Sequence, residues 1–334
     1  MKFAENSCAG ICAADLPSTS DFRNVSFLGN KLLGDGGTAS ALLNAPAGSS
    51  LEADGLRAWQ NNGTVLNAVN CSLTLSSLSF TDNFGVAATA DNTRHAVIAL
   101  VNSTAVVDES QFKRNVGGIG STFFLQQSTL SVANSTFTGN RAVRGGVLMA
   151  SSKSVVTFVN CSFLANRSSH GAVVFSSESK IHCDKSVFGD NKALRNGGCF
   201  YATKGSAMHI SNSSFRGGTA KNSGGLLFAK NHSEVFLQSV VLEKGVARCG
   251  GAAALYESSL VAERTSFSEC KAVEGGALSS NASSTVCQEC LFENNVAKKG
   301  GAVSFEPVET ESPSHQFDKT TFRNNTADYG GIDK

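Results

Sequence analysis

The sequence predicts an all-β fold, a single-chain right-handed parallel β-helix of roughly 11–12 coils of about 25 residues each. Three observations predict it. A Phe-x-x-Asn signature recurs along the chain, a Gly pair follows it at a nearly fixed distance, and alternating apolar residues precede it.

The signature stands at Phe27/Asn30, Phe80/Asn83, Phe112/Asn115, Phe137/Asn140, Phe163/Asn166, Phe188/Asn191, Phe292/Asn295, and lastly at Phe322 with Asn325. Altered copies are Phe215/Gly218, Leu242/Gly245 and Phe267/Cys270. From Phe112 onward the steps are 25, 26, 25, 27, 27, 25, 25 and 30 residues. A β-propeller blade needs about 40 residues, and a leucine-rich repeat needs a Leu/Asn pattern that is absent.

Each element of a coil has its own signal. Seven and five residues before the Phe lie apolar pairs such as Leu130/Val132, Val156/Phe158, Ile181/Cys183 and Val235/Leu237, the half-buried strand pattern. Such a strand is too short to bury its face alone. Stacking equivalent strands about 4.8 Å apart completes the sheet and repeats each side chain up an internal ladder. The Phe then forms a core stack. The Asn suits a turn, where its amide can satisfy backbone groups and where it tolerates left-handed geometry. The Gly pair (Gly145/Gly146, Gly197/Gly198, Gly224/Gly225, Gly250/Gly251, Gly275/Gly276, Gly300/Gly301, Gly330/Gly331; His170/Gly171 as an altered copy) permits positive φ or close approach of coils. Small or aliphatic residues after it, such as Ala277/Leu278, open the next strand. No helical period appears, so a helix is expected nowhere except in an N-terminal cap. We assign residues 1–20 to a cap or truncated segment and 21–334 to the β-helix, with a longer turn expected in the irregular stretch 84–105 and an incomplete last coil.

This pattern resembles the polymorphic outer membrane protein repeat of chlamydiae, whose marks are Phe-x-x-Asn and Gly-Gly-Ala-(Ile/Leu/Val). Its clearest matches are Phe267 with Gly275-Gly276-Ala277-Leu278, and Phe292-x-x-Asn295 with Gly300-Gly301-Ala302-Val303. The resemblance implies a pectin-lyase-like β-helix displayed at a surface, often in adhesion, though no C-terminal translocating barrel follows here.

Composition narrows the function. The formal net charge of +1 removes a broad electrostatic case for nucleic acid. No stretch is apolar enough to span a bilayer as a helix, and the first residues lack the apolar core of a secretory signal. We read the chain as a fragment cut at both ends. Asn-x-Ser/Thr sequons at Asn24, Asn62, Asn70, Asn102, Asn134, Asn160, Asn166, Asn212, Asn231, Asn281 and Asn324 nevertheless point to a secreted glycoprotein. Repetition supplies the bland account, because Asn24, Asn134, Asn160 and Asn212 all fall three residues before a Phe.

Ten cysteines invite a disulfide framework, but coil register opposes it. Cys183 and Cys287 share one position four coils apart, about 19 Å at the coil spacing, beyond disulfide reach. Cys161 and Cys290 share another position, Cys199 follows a Gly pair, and Cys270 replaces a signature Asn. Most read as small core residues. Cys287-x-x-Cys290 lacks a second ligand pair for zinc, and Cys8 and Cys12 could bridge each other or a partner.

Catalytic signals are thin. Asp184, Asp190, Arg195 and Arg216 are the nearest approach to a carboxylate constellation, and solvated surface charge accounts for them. His182 and His209 align on an outward position. Gly34-Asp35-Gly36-Gly37 does not recur as a calcium repeat would. No cofactor or metal is expected. The sequence therefore points to a non-enzymatic extracellular or cell-surface adhesin-like module whose partners are glycans or surface proteins. The alternatives are a polysaccharide lyase or glycoside hydrolase, or the ectodomain of a larger membrane protein. An uncapped end coil also predicts self-association.

Overall fold

The computed structural model describes residues 2–4, 7–8, 19–32, 41–45, 47–85, 96–306 and 313–330. Cys12, His95 and the Gly34–Gly37 motif lie outside them. Strands pair in parallel with their counterparts one coil away, so the chain winds as a solenoid. One coil shows the plan: Val155–Val159, Ser162–Leu164, the short Arg167–His170, then Val174–Ser177. Among the described residues, the counterparts of the first, second and fourth strands form sheets of 12, 13 and 11 strands. We call these the long-strand, phenylalanine and third sheets. Counterparts of Arg167–His170 form a narrow side sheet. No helix occurs among the described residues, so none is long and apolar enough to cross a membrane.

The phenylalanines stack as their period requires. Ring centroids of Phe137 and Phe163 lie 4.8 Å apart at 6°, those of Phe163 and Phe188 4.8 Å apart at 1°, and Phe267 and Phe292 4.5 Å apart at 2°. Leu242 fills the column between Phe215 and Phe267. The long sequence gap between Phe27 and Phe80 hides one more coil, because Ala58 stands in register between them. Lys2–Ala4 pairs with Ser26–Leu28, so parallel stacking already includes strands before residue 19. In the stretch expected to be irregular, residues 86–95 lie outside the description, and Ile98–Val101 pairs in register on both sides.

The signature asparagine departs from the expectation in one respect. The left-handed residue is the one before it: Arg114, Ala165 and Asp190 have φ of 52°, 54° and 52°. The asparagine itself turns inward, and Asn140, Asn166, Asn191 and Asn295 are fully buried. Asn166 Oδ1 accepts from the backbone N–H and the side-chain amide of Asn140 at 2.9 and 3.1 Å. Its Nδ2 donates to the Phe137 carbonyl and to Asn191 Oδ1, both at 3.0 Å. Both amide hydrogens and the carbonyl oxygen of Asn166 are thus used.

Asn325 continues the same pattern at the last described corner. It is the last signature asparagine, yet it sits half-buried rather than in a closed corner, and φ of 54° falls on Asn324 before it. It still joins the ladder from one side. Its Oδ1 accepts from the N–H and the amide of Asn295 at 3.0 and 2.9 Å, and its Nδ2 donates to the Phe292 carbonyl at 2.9 Å. Phe322 stacks on Phe292 at 4.9 Å and is half-buried likewise. Among the described residues no coil covers either side chain, which is why the repeat keeps its hydrogen bonds there but loses its burial.

Two hydroxyl ladders at the other corners were not read from the sequence. Ser103, Ser128 and Ser154 link in one, and Ser110 with Ser135 in the other, each hydroxyl accepting the backbone N–H of the coil before it. Cys161 and Cys290 occupy positions in the second ladder, with their own N–H groups bonded to Ser186 and Thr320. Neither glycine of the pair leaves room for a side chain: Gly275 takes φ of +62° and a Cβ there would strike the Leu278 carbonyl, whereas a Cβ on Gly276 would strike the Gly301 carbonyl of the next coil.

Candidate functional site

Because side chains alternate along a strand, the residue between the inward Ile181 and Cys183 faces solvent, and in-register pairing repeats that position on each coil. On three successive coils it is His182, His209 and Phe236. Their rings form a continuous stack, 5.0 Å and 20° for the first pair, 4.5 Å and 11° for the second. The histidine alignment was legible; Phe236 was missed, although it stands six residues before Leu242 just as His182 stands six before Phe188.

These rings floor a shallow groove of about 360 Å3, rimmed by Asp184, Ser211, Gln238 and Glu263. Asp184 accepts from Ser211 Oγ at 2.7 Å and Asn212 Nδ2 at 2.8 Å, and these hydrogen bonds, with Lys185 nearby, hold its carboxyl below the ordinary range. Gln238 Nε2 donates to Glu263 at 3.3 Å. Burial, reinforced by the neighbouring His182, lowers the pKa of His209, so its ring stacks as neutral imidazole at physiological pH. The arrangement offers a column of ring edges, its π faces turned against one another, bordered by fixed acceptors.

A second groove, about 800 Å3, lies where the side-sheet corner meets the third sheet. Lys230, Arg248, Glu257, Glu274 and Glu306 converge on it around Tyr256. Glu306 accepts from Asn281 Nδ2 at 2.6 Å, Cys249 Sγ approaches Glu274 at 3.7 Å, and the Tyr256 hydroxyl lies 3.4 Å from Ser223 Oγ. The charged residues named from sequence do not join it as a constellation. Asp184 borders the ring shelf, Asp190 occupies a corner beyond the phenylalanine sheet, and Arg216 faces Glu243 at 3.8 Å. Among the described residues, no group of three or more His, Cys, Asp or Glu is placed to hold a metal ion.

Residues 145–328 match the family described as the right handed beta helix region. The chain belongs to that family. No curated protein and no solved structure matches it. The family match covers both grooves, so each is a surface of the β-helix itself.

The sequons distribute unevenly over this β-helix. Asn24, Asn70, Asn102, Asn134, Asn160, Asn212, Asn231 and Asn324 are exposed, each at a corner with positive φ. Asn62 and Asn281 are half-buried. Asn166 requires correction as a glycan site, because both hydrogens of its amide are bonded inside the asparagine ladder. Among the described cysteines, Cys161, Cys183, Cys199, Cys270, Cys287 and Cys290 are buried free thiols, Cys71 is buried as well, and Cys249 is half-buried. Burial pushes Cys161 up to about 11 and Cys183 and Cys270 up to about 12.

Proposed function

We propose that the chain is a non-enzymatic extracellular or cell-surface interaction module that binds neutral or amino-bearing glycans on the His182–His209–Phe236 shelf. The ring stack carries this reading. A sugar presents apolar C–H groups that pack along the exposed edges of the ring column, while its hydroxyls need fixed acceptors such as Asp184 and Glu263 beside it. Three rings at coil spacing offer consecutive apolar contacts to a linear oligosaccharide. The exposed corner sequons and the resemblance of Gly275-Gly276-Ala277-Leu278 to a surface-protein repeat support the extracellular placement.

A glycan array probed with the full chain tests the reading, beside the variant His209→Ala/Phe236→Ala. Retention of a defined oligosaccharide, weakened roughly tenfold by the double substitution, is expected from the loss of two of the three rings. Equal retention by both proteins, or none by either, removes the proposal.

The second groove favours one other reading, a carbohydrate-active enzyme, because glycosidic cleavage uses paired carboxyl groups. Incubation with uronate polymers and neutral glycans distinguishes it. The interaction reading expects no product, and cleavage abolished by Glu274→Gln or Glu306→Gln would replace it.

A further inference from the structure

The side sheet carries a charge pattern unlike the rest of the surface. Arg141, Arg167 and Lys192 occupy one exposed position on three successive coils, paired in register. Arg144 and Arg195 flank them on the same corner. None of these five cations makes an ion pair among the described residues, and no Asp or Glu occurs in 141–146, 167–171 or 192–198. Elsewhere opposite charges meet between neighbouring coils, as in Arg114–Asp82, Arg216–Glu243 and Arg323–Glu293. Like charges stacked about 4.8 Å apart repel one another, so this column gains nothing within the fold.

We propose that this strip binds a linear anionic polysaccharide, sulfated or uronate-bearing, laid along the solenoid axis. A polymer with an anion on successive sugars matches a cation repeated on successive coils, and arginine forks pair with sulfate or carboxylate through two hydrogen bonds. Nucleic acid has the same charge but would need stacking surfaces for its bases. The exposed apolar residues between the cations are aliphatic, Val143 at 59% and Leu194 at 58% exposure. Arg144 rests over Phe175, 5.7 Å from a ring that is itself covered. His170, in the same column as Arg144, reports the local field: burial first, then Arg195, Arg144 and Lys230, depress its pKa.

The strip and the ring shelf lie on different sheets, so the two proposals fail separately. The test measures affinity of the full chain for heparin, polygalacturonate and a single-stranded oligonucleotide across a salt series. The strip variant Arg141→Ser/Arg167→Ser/Lys192→Ser is compared with Arg216→Ser/Arg264→Ser/Arg323→Ser, which removes equal charge from ion-paired positions. Expected is polysaccharide binding that falls with salt, roughly tenfold weaker and with a shallower salt slope in the strip variant, and within about twofold of the parent in the control. Preference for heparin or polygalacturonate assigns sulfate or carboxylate. The proposal is overturned by no binding to either polysaccharide, by equal loss in both variants, or by tighter binding to the oligonucleotide. The shelf variant His209→Ala/Phe236→Ala is expected to keep full heparin affinity.

Discussion

Truncating Asn166 to Ala would orphan several buried groups at once: the N–H and amide of Asn140, the Phe137 carbonyl, and Oδ1 of Asn191. Some of these groups keep other partners, so a loss of about 3–5 kcal/mol is expected, at the upper end of single substitutions. Asn166→Asp keeps the shape but cannot donate, and buries a carboxylate facing the Phe137 carbonyl; it should be at least as damaging. Asn325→Ala supplies the contrast, because water can reach the groups that a half-buried side chain leaves behind, and it should cost about 1–2 kcal/mol. Urea denaturation followed by far-UV circular dichroism measures all three, and a loss under about 1 kcal/mol for either Asn166 variant would refute the ladder's energetic role. The thiols make a second residue-scale prediction. With pKa values raised by burial, Cys161, Cys183 and Cys270 should resist maleimide in the native chain and react only after unfolding. Peptide mapping would show native labelling confined to the half-buried Cys249 among the cysteines described.

At the scale of the coil, a glycine of a pair and a lone turn glycine differ in what they tolerate. Gly276→Ala sets a methyl against the backbone of the next coil, where no side chain can move aside, and should cost about 3 kcal/mol or more. Gly48, with φ of +82° and nothing within 4 Å of a built Cβ, carries only backbone strain, so Gly48→Ala should cost about 1–2 kcal/mol. Thermal melts of the two variants would reverse this order if the pair served turn geometry alone. Much of the coil was legible because its strongest signals are large and periodic: Phe, Asn and a Gly pair recur at one spacing. The serine ladders were not, since Ser is common in every loop and its burial shows only once coils are stacked. Ala58 hid a coil because a small residue replaced the marker. Asn325 shows the converse limit, since an intact signature reports the hydrogen bonds of its corner but not whether a further coil covers it. Gly218 and Gly245 read as worn asparagines, yet the structure gives them a packing reason. A Cβ on Gly218 would lie 2.5 Å from Leu226 Cδ2, and one on Gly245 would strike the Gly251 carbonyl and come within 3.1 Å of Leu226 Cγ. Leu226 is thus a large residue at a position held by Ala or Val in most coils, and it fills the space that ladder side chains vacate. Of the candidate site, two rings were visible by alignment. The third escaped because only the histidines were aligned by position, and Phe236 was not placed in their column.

Across the whole molecule, titration should couple to stability in two separate pH windows. His170, His209 and His315 all have folded pKa values lowered from 6.5, each chiefly by burial, with nearby cations adding to the effect for the first two. Below pH 6.5 the unfolded chain therefore binds protons that the folded chain refuses, and folding stability falls as pH drops through that region. The carboxylates work lower down. Asp82 and Asp184 have folded values below 3.8, held there mainly by Arg114 and by Ser211 respectively, so their contribution is intact above 3.8 and is lost as pH falls further. Between these windows the melting temperature should level off. Melts from pH 8 to pH 3 would show the two steps, and His170→Gln/His209→Gln should flatten the upper one while leaving the lower. A melting temperature that stays level or rises between pH 7.5 and 5.5 would mean these imidazoles protonate freely in the fold, and the shelf would then present a charged His209 rather than the neutral stacked ring on which sugar binding depends.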